Sequence, residues 1–161
     1  MKTLKLIFLL TTMVSPEALS SDNFYFEHLN TSIVNYSAKI KTCDSLKKVP
    51  TLSESQISTL KKQLEEKPLI LAFLSERSFN KCLQPERGQL AELLASYNYL
   101  KLPNKTKNLA ETTKKMIFEK SYETDRSYLS LTPTEKKSIN SITVLEQPFS
   151  EIETFEKIMG M

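Results

Sequence analysis

Apolar side chains recur at helical spacing along most of this chain. The clearest stripe begins at Phe26 and advances in steps of three, four, three, four and three residues, which places all of its members on one face of a helix. The stripe consists of Phe26, Leu29, Ile33, Tyr36, Ile40 and Cys43. A coiled-coil seam for a partner is the alternative, but the stripe is shorter than about three heptads and lacks regular flanking charge pairs. The pattern therefore favours a first helix that packs against the rest of the chain.

Capping residues and a proline predict two further helices between Cys43 and Cys82. Ser53 and Gln56 have the capping-box spacing, which predicts a helix start immediately before a new apolar face. Pro68 should stop or kink this helix, because proline lacks the amide hydrogen and its ring clashes with the preceding turn. A third helix is expected from about Pro68 onward. The alternative for residues 69–74 is a buried strand, but this run is rich in Leu and Ala and lacks a turn signal at its end.

Four more helices are expected between Pro85 and the C-terminus, each marked by a proline or a capping residue. Their predicted starts are Pro85, Asn104, Thr132 and Ser150, and a connection is expected over residues 125–131. Thr132 with Glu135 and Ser150 with Glu153 repeat the capping-box spacing. The side chains expected to face inward are Leu90, Leu93, Leu94, Tyr97 and Leu100, then Leu109, Met116, Ile117 and Phe118, then Ile139, Ile142 and Leu145, and finally Ile152, Phe155, Ile158 and Met159. The predicted fold class is all-α, a compact bundle of about six to seven helices.

The first twenty residues have the pattern of a cleavable export signal. Lys2 and Lys5 give a basic start, residues 6–14 are an apolar stretch, and residues 18–20 form a small-x-small cleavage site. A membrane anchor is the alternative, but a bilayer span needs about 20 apolar residues, roughly twice this length. We expect cleavage of residues 1–20 and a single helical domain over residues 21–161, periplasmic or secreted, with no stable membrane anchor.

Export makes a disulfide between Cys43 and Cys82 the expected state of the two cysteines, because oxidising compartments let such bridges persist. Two reduced thiols are the alternative. The bridge would join the first and third mature helices, make them roughly parallel and require the second to return between them. Residues 53–82 as one straight helix would span about 43 Å, whereas the connection from Cys43 to Ser53 reaches at most about 35 Å. A disulfide therefore requires a break near Pro68.

The chain lacks the sequence signatures of common catalytic and metal sites. His28 is the one histidine, so paired-histidine zinc sites are excluded, and no glycine-framed serine accompanies it for a hydrolase triad. We therefore expect no metal site, no cofactor and no catalytic residue of these classes. Two carboxylates that folding brings together, as in glycosidases, remain the open enzymatic alternative.

Basic side chains cluster between residues 97 and 120 and indicate a possible partner surface. Its expected members are Tyr97, Tyr99, Lys101, Lys105, Lys107, Lys114 and Lys115, and Lys120 follows in the sequence. Only Glu111 and Glu119 oppose these lysines, whereas the C-terminal segment is acidic. An ordinary solvated lysine-rich surface is the alternative. Nucleic acid is not an expected partner, because the net charge is only +3 and the chain has few arginines for bidentate contacts.

These observations favour an exported, non-enzymatic protein-binding or accessory or inhibitory module whose partner is a protein. The alternatives are a cell-wall or glycan hydrolase that uses paired carboxylates, and an envelope stress-protective protein.

Overall fold

The computed structural model describes residues 17–119 and 122–161, so the predicted export signal lies mainly outside the described residues. The all-α fold predicted from the apolar spacing is confirmed there. The helices are α1 (Glu17–Ser45), α2 (Glu54–Glu66), α3 (Ile70–Cys82), α4 (Glu86–Ser96), α5 (Asn104–Phe118), α6 (Tyr122–Leu129), α7 (Pro133–Asn140) and α8 (Glu151–Met159), with 3₁₀ helices at Tyr97–Tyr99 and Thr143–Glu146. None of the helices in these ranges has the length and apolar character that a membrane span requires.

Two hydrophobic clusters are buried in the molecule, and α3 contributes to both. Core A lies among α2, the first half of α3, α7 and α8, and consists of Leu52, Leu60, Leu64, Ile70, Leu71, Leu74, Leu131, Ile139, Ile142, Leu145, Phe149 and Ile158. Core B lies among α1, α4, α5 and the end of α3, and consists of Leu29, Tyr36, Cys43, Leu83, Leu90, Leu94, Tyr97, Ala110 and Ile117. The chain therefore starts in core B, passes to core A, returns to core B through α4 and α5, and ends in core A.

The disulfide between Cys43 and Cys82 is confirmed, and it joins α1 to α3. The two Cα atoms are 6.0 Å apart, within the usual range for a bridge. The break near Pro68 is confirmed as well, since α2 ends at Glu66 and α3 begins at Ile70. The prediction that α2 returns between α1 and α3 was wrong, however. It packs against α3, α7 and α8 in core A, whereas α1 packs mainly against α4 and α5.

The segment after α5 contains one helix more than predicted. Residues 122–129 form α6 where a connection was expected, and the ring of Tyr128 stacks on that of Phe73 in α3 with centroids 4.2 Å apart. The following helix, α7, is shorter than expected and ends at Asn140. Ile142 and Leu145 nevertheless reach core A, because the 3₁₀ helix Thr143–Glu146 turns the chain inward.

Several expected inward positions on α5 and α8 are exposed. Met116 and Phe118 are 52% and 55% exposed, because the buried face of α5 follows Thr106, Ala110, Thr113 and Ile117. On α8, Thr154 and Ile158 are buried, which leaves Ile152 73% exposed. Leu100, expected on the inner face of α4, lies beyond that helix and is also exposed.

Candidate binding cleft

A cleft of about 400 Å³ lies where the 3₁₀ helix Tyr97–Tyr99 and the following extended residues face α5. The backbone is extended at Leu100 and again at Pro103, so the chain leaves the end of α4 and returns along α5. The cleft is lined by Tyr97, Asn98, Leu100, Lys101, Leu102, Lys107, Ala110, Glu111 and Lys114, and we call it the lysine cleft. Its volume is within the range of about 300–1,000 Å³ that is typical of ligand sites.

Tyr97 belongs to the wall of this cleft and to core B at the same time. Its side chain is only 4% exposed, and its hydroxyl donates a hydrogen bond of 2.8 Å to the backbone oxygen of Tyr25. Burial, with a smaller contribution from Tyr25, raises the pKa of Tyr97 above its usual value. Tyr97 therefore fixes the wall in place. Of the two tyrosines predicted for the partner surface, Tyr99 is the accessible one, with 91% exposure, but it is not among the lining residues of the cleft.

The lysines of the cleft differ in their pairing. The Lys114 ammonium lies 2.9 Å from the Glu111 carboxylate and also donates to the side-chain oxygen of Asn98. Lys101 and Lys107 are exposed and form no ion pair with another residue in the described ranges. The cleft thus combines two unpaired ammonium groups and one paired ammonium group with three apolar lining residues, Leu100, Leu102 and Ala110, which we call the apolar floor.

Glu111 is the one acidic side chain among the lining residues of the lysine cleft. The hydrogen bond from Lys114 is the largest cause that lowers the pKa of Glu111, followed by the charge of Lys114 and, more weakly, the charges of Lys107 and Lys115. Glu111 is therefore ionised at neutral pH.

The remaining predicted surface lysines lie outside the cleft. The Lys105 ammonium is 3.8 Å from the centroid of the Phe26 ring, which directs it toward α1. Lys115 lines a neighbouring shallow depression with Phe118 and Glu119, and this depression shares Lys114 with the lysine cleft. Lys120 lies outside the described residues. The structure therefore brings Lys101, Lys107 and Lys114 into the lining of one cleft, whereas Lys105 and Lys115 are not among its lining residues.

A second, smaller cleft of about 210 Å³ contains two carboxyl side chains, Glu76 of α3 and Asp125 of α6. Phe73, Arg77 and Asn80 complete its lining. Thr124 donates a hydrogen bond of 3.3 Å to Glu76. The sequence alone does not select this pair, because the chain has many acidic residues, most of them expected on solvated helix faces. The structure describes no group of three or more metal-ligating side chains within residues 17–119 and 122–161.

The chain matches no protein-family model, no curated protein and no solved structure.

Proposed function

We propose that this protein is a non-enzymatic binding module that holds an acidic segment of a partner protein in the lysine cleft. The observation that supports the proposal is the combination of unpaired Lys101 and Lys107 with the apolar floor formed by Leu100, Leu102 and Ala110. Ammonium groups attract carboxylates and orient them, and the apolar floor gives a neighbouring side chain a surface to bury. Because the proposed protein binds its partner without catalysing a reaction, we propose that it acts as an accessory or inhibitory module.

The proposal places the protein in the periplasm or outside the cell. Support comes from the disulfide between Cys43 and Cys82, a bond that persists mainly in oxidising compartments, and from the export-signal pattern of residues 1–20. N-terminal sequencing of protein recovered from a periplasmic extract should give Ser21 as the first residue. An intact Met1 would contradict export by cleavage.

Charge reversal in the cleft tests the binding role. The protein is immobilised and used to capture partners from an envelope extract, as wild type and as the Lys101→Glu/Lys107→Glu variant. The matched control is Lys61→Glu/Lys62→Glu, which makes the same charge change at exposed positions of α2. We expect the cleft variant to lose about tenfold in capture, since each reversed charge removes an attraction and adds a repulsion. Equal loss in both variants, or no loss in either, would contradict a role for this cleft.

Glycan hydrolysis is the second candidate, because Glu76 and Asp125 line one cleft beside an aromatic ring. Two carboxyl groups about 5–10 Å apart are the usual requirement for acid–base attack on a glycosidic bond. In this case Glu76→Gln should lower the release of reducing ends from purified cell wall by about 100-fold or more. The absence of any release by the wild-type protein would remove this candidate.

A further inference from the structure

Glu111 lies among three lysines of the same helix. Lys107 precedes it by four residues, and Lys114 and Lys115 follow it by three and four, which are the spacings that place helical side chains next to one another. The contact with Lys114 is a direct ion pair of 2.9 Å. Glu111 thus lies at the wall of the lysine cleft, within the field of the lysines that a ligand would meet.

Lys114 has little donor capacity left for a ligand. An ammonium group has three N–H donors, and Lys114 directs one to Glu111 and another to Asn98. The bond to Glu111 is of the same kind that an incoming carboxylate would form, with similar length and charge. An incoming carboxylate can therefore bond Lys101, Lys107 and the one remaining N–H donor of Lys114, but it gains the donor that faces Glu111 only by displacing Glu111.

We propose that Glu111 is a resident competitor that occupies the place of a ligand carboxylate at Lys114 and thereby limits the affinity of the cleft. This inference rests on the proposed function, since it assumes that the lysine cleft binds an acidic segment. It assigns Glu111 a specificity-determining role: only a segment with enough negative charge to displace it obtains the full set of lysine contacts.

The lining favours an acidic peptide over a small inorganic anion. Leu100, Leu102 and Ala110 provide apolar contacts that a free phosphate leaves unused. The Glu111 carboxylate repels a compact dianion held close to it, whereas a peptide spreads its charges along the cleft. The ligand class is therefore a chain segment that contains both acidic and bulky apolar side chains.

The test is a binding titration with a fluorescein-labelled hexapeptide of alternating leucine and glutamate, followed by anisotropy. Glu111→Gln should lower the Kd for this probe by about two- to fivefold, the range expected when one exposed competing charge is removed. Glu153→Gln makes the same charge change at an exposed position of α8 and should leave the Kd nearly unchanged. Glu111→Asp keeps the competing charge and should restore an affinity close to that of the wild type.

A change of the Kd in the opposite direction would identify a different role for Glu111. If Glu111 positions Lys114 for the ligand, Glu111→Gln should raise the Kd, and this result or an unchanged Kd would overturn the inference. The proposed function would still stand if the wild type binds the probe and Lys101→Glu/Lys107→Glu does not. Failure of both the wild type and Glu111→Gln to bind would overturn the two together. Displacement of the probe by inorganic phosphate as effectively as by unlabelled peptide would reassign the cleft to small anions and also overturn the inference.

Discussion

At the scale of single residues, the capping boxes show when a short sequence pattern is sufficient to predict a hydrogen bond. Those at Ser53–Gln56 and Thr132–Glu135 form as predicted, because their partners lie three residues apart in the chain. The same pattern at Ser150 forms no side-chain cap, and the Ser150 amide, which would donate to Glu153 in a capping box, donates instead to the backbone oxygen of Lys48 at 3.2 Å. That partner is distant in sequence, so a local pattern did not reveal it.

The lowered pKa of Glu135 predicts a pH dependence of stability. The backbone hydrogen bond from Thr132 is the largest cause that lowers the pKa of Glu135 to about 2, with smaller contributions from the Thr132 side chain, Gln63 and Lys67. A lowered pKa means that the ionised group stabilises the fold above the ordinary value of 4.5, and that this contribution is lost as the pH falls toward about 2. Urea unfolding should therefore show wild type more stable than Glu135→Gln at pH 7, with the difference shrinking toward about pH 2. A difference that is constant over this range would contradict the assignment.

At the scale of helices, the spacing of apolar residues predicted most helices but only part of the faces that they bury. The stripe of α1 is confirmed, with Leu29, Tyr36 and Cys43 buried and the three other members half-buried. On α5 the threonines Thr106 and Thr113 are buried while Met116 is exposed, which reverses the ranking by hydrophobicity. Thr113 is accommodated because its hydroxyl donates to the backbone oxygen of Leu109. α6 was missed because long-range contacts with α3, which a local pattern does not contain, help to hold it.

The disulfide is the strongest covalent constraint between helices. The cysteines are 39 residues apart, and by the loop-entropy model the closure of such a loop stabilises the folded chain by about 4 kcal/mol. The Cys43→Ser/Cys82→Ser variant should lose up to about this amount in free energy of unfolding, measured by urea denaturation. Equal stability of the two proteins would contradict the expected contribution. Two alkylatable thiols in exported wild-type protein would contradict the bridge itself.

The packing of α4 in core B predicts a large loss of stability when one of its buried leucines is truncated. Leu94 is fully buried, so Leu94→Ala should lower the free energy of unfolding by about 2–5 kcal/mol through lost burial and a new cavity. Ile152 on α8 is the contrasting position, because its exposed side chain should tolerate alanine within about 0.5 kcal/mol. Thermal or urea unfolding of the two variants checks the contrast. Similar losses in both would contradict the described faces of these helices.

At the scale of the whole molecule, folding selects a site from a broader basic segment. The sequence grouped five lysines with Tyr97 and Tyr99, and three of these lysines line the cleft. Lys105 and Lys115 project from α5 in other directions, and Tyr97 is committed to core B. The charge pattern indicated the segment that lines the cleft, but which of its residues line it depends on how α5 lies against the end of α4.

An NMR titration tests most directly the proposal that the lysine cleft binds an acidic segment of a protein. The ¹⁵N-labelled protein is titrated with the alternating leucine–glutamate hexapeptide, and the amide shifts are mapped on the fold. We predict that the shifts concentrate in residues 97–102 and 107–114 and diminish as added salt screens the lysines. Shifts confined to the cleft of Glu76 and Asp125, or no shifts at all, would contradict the claim.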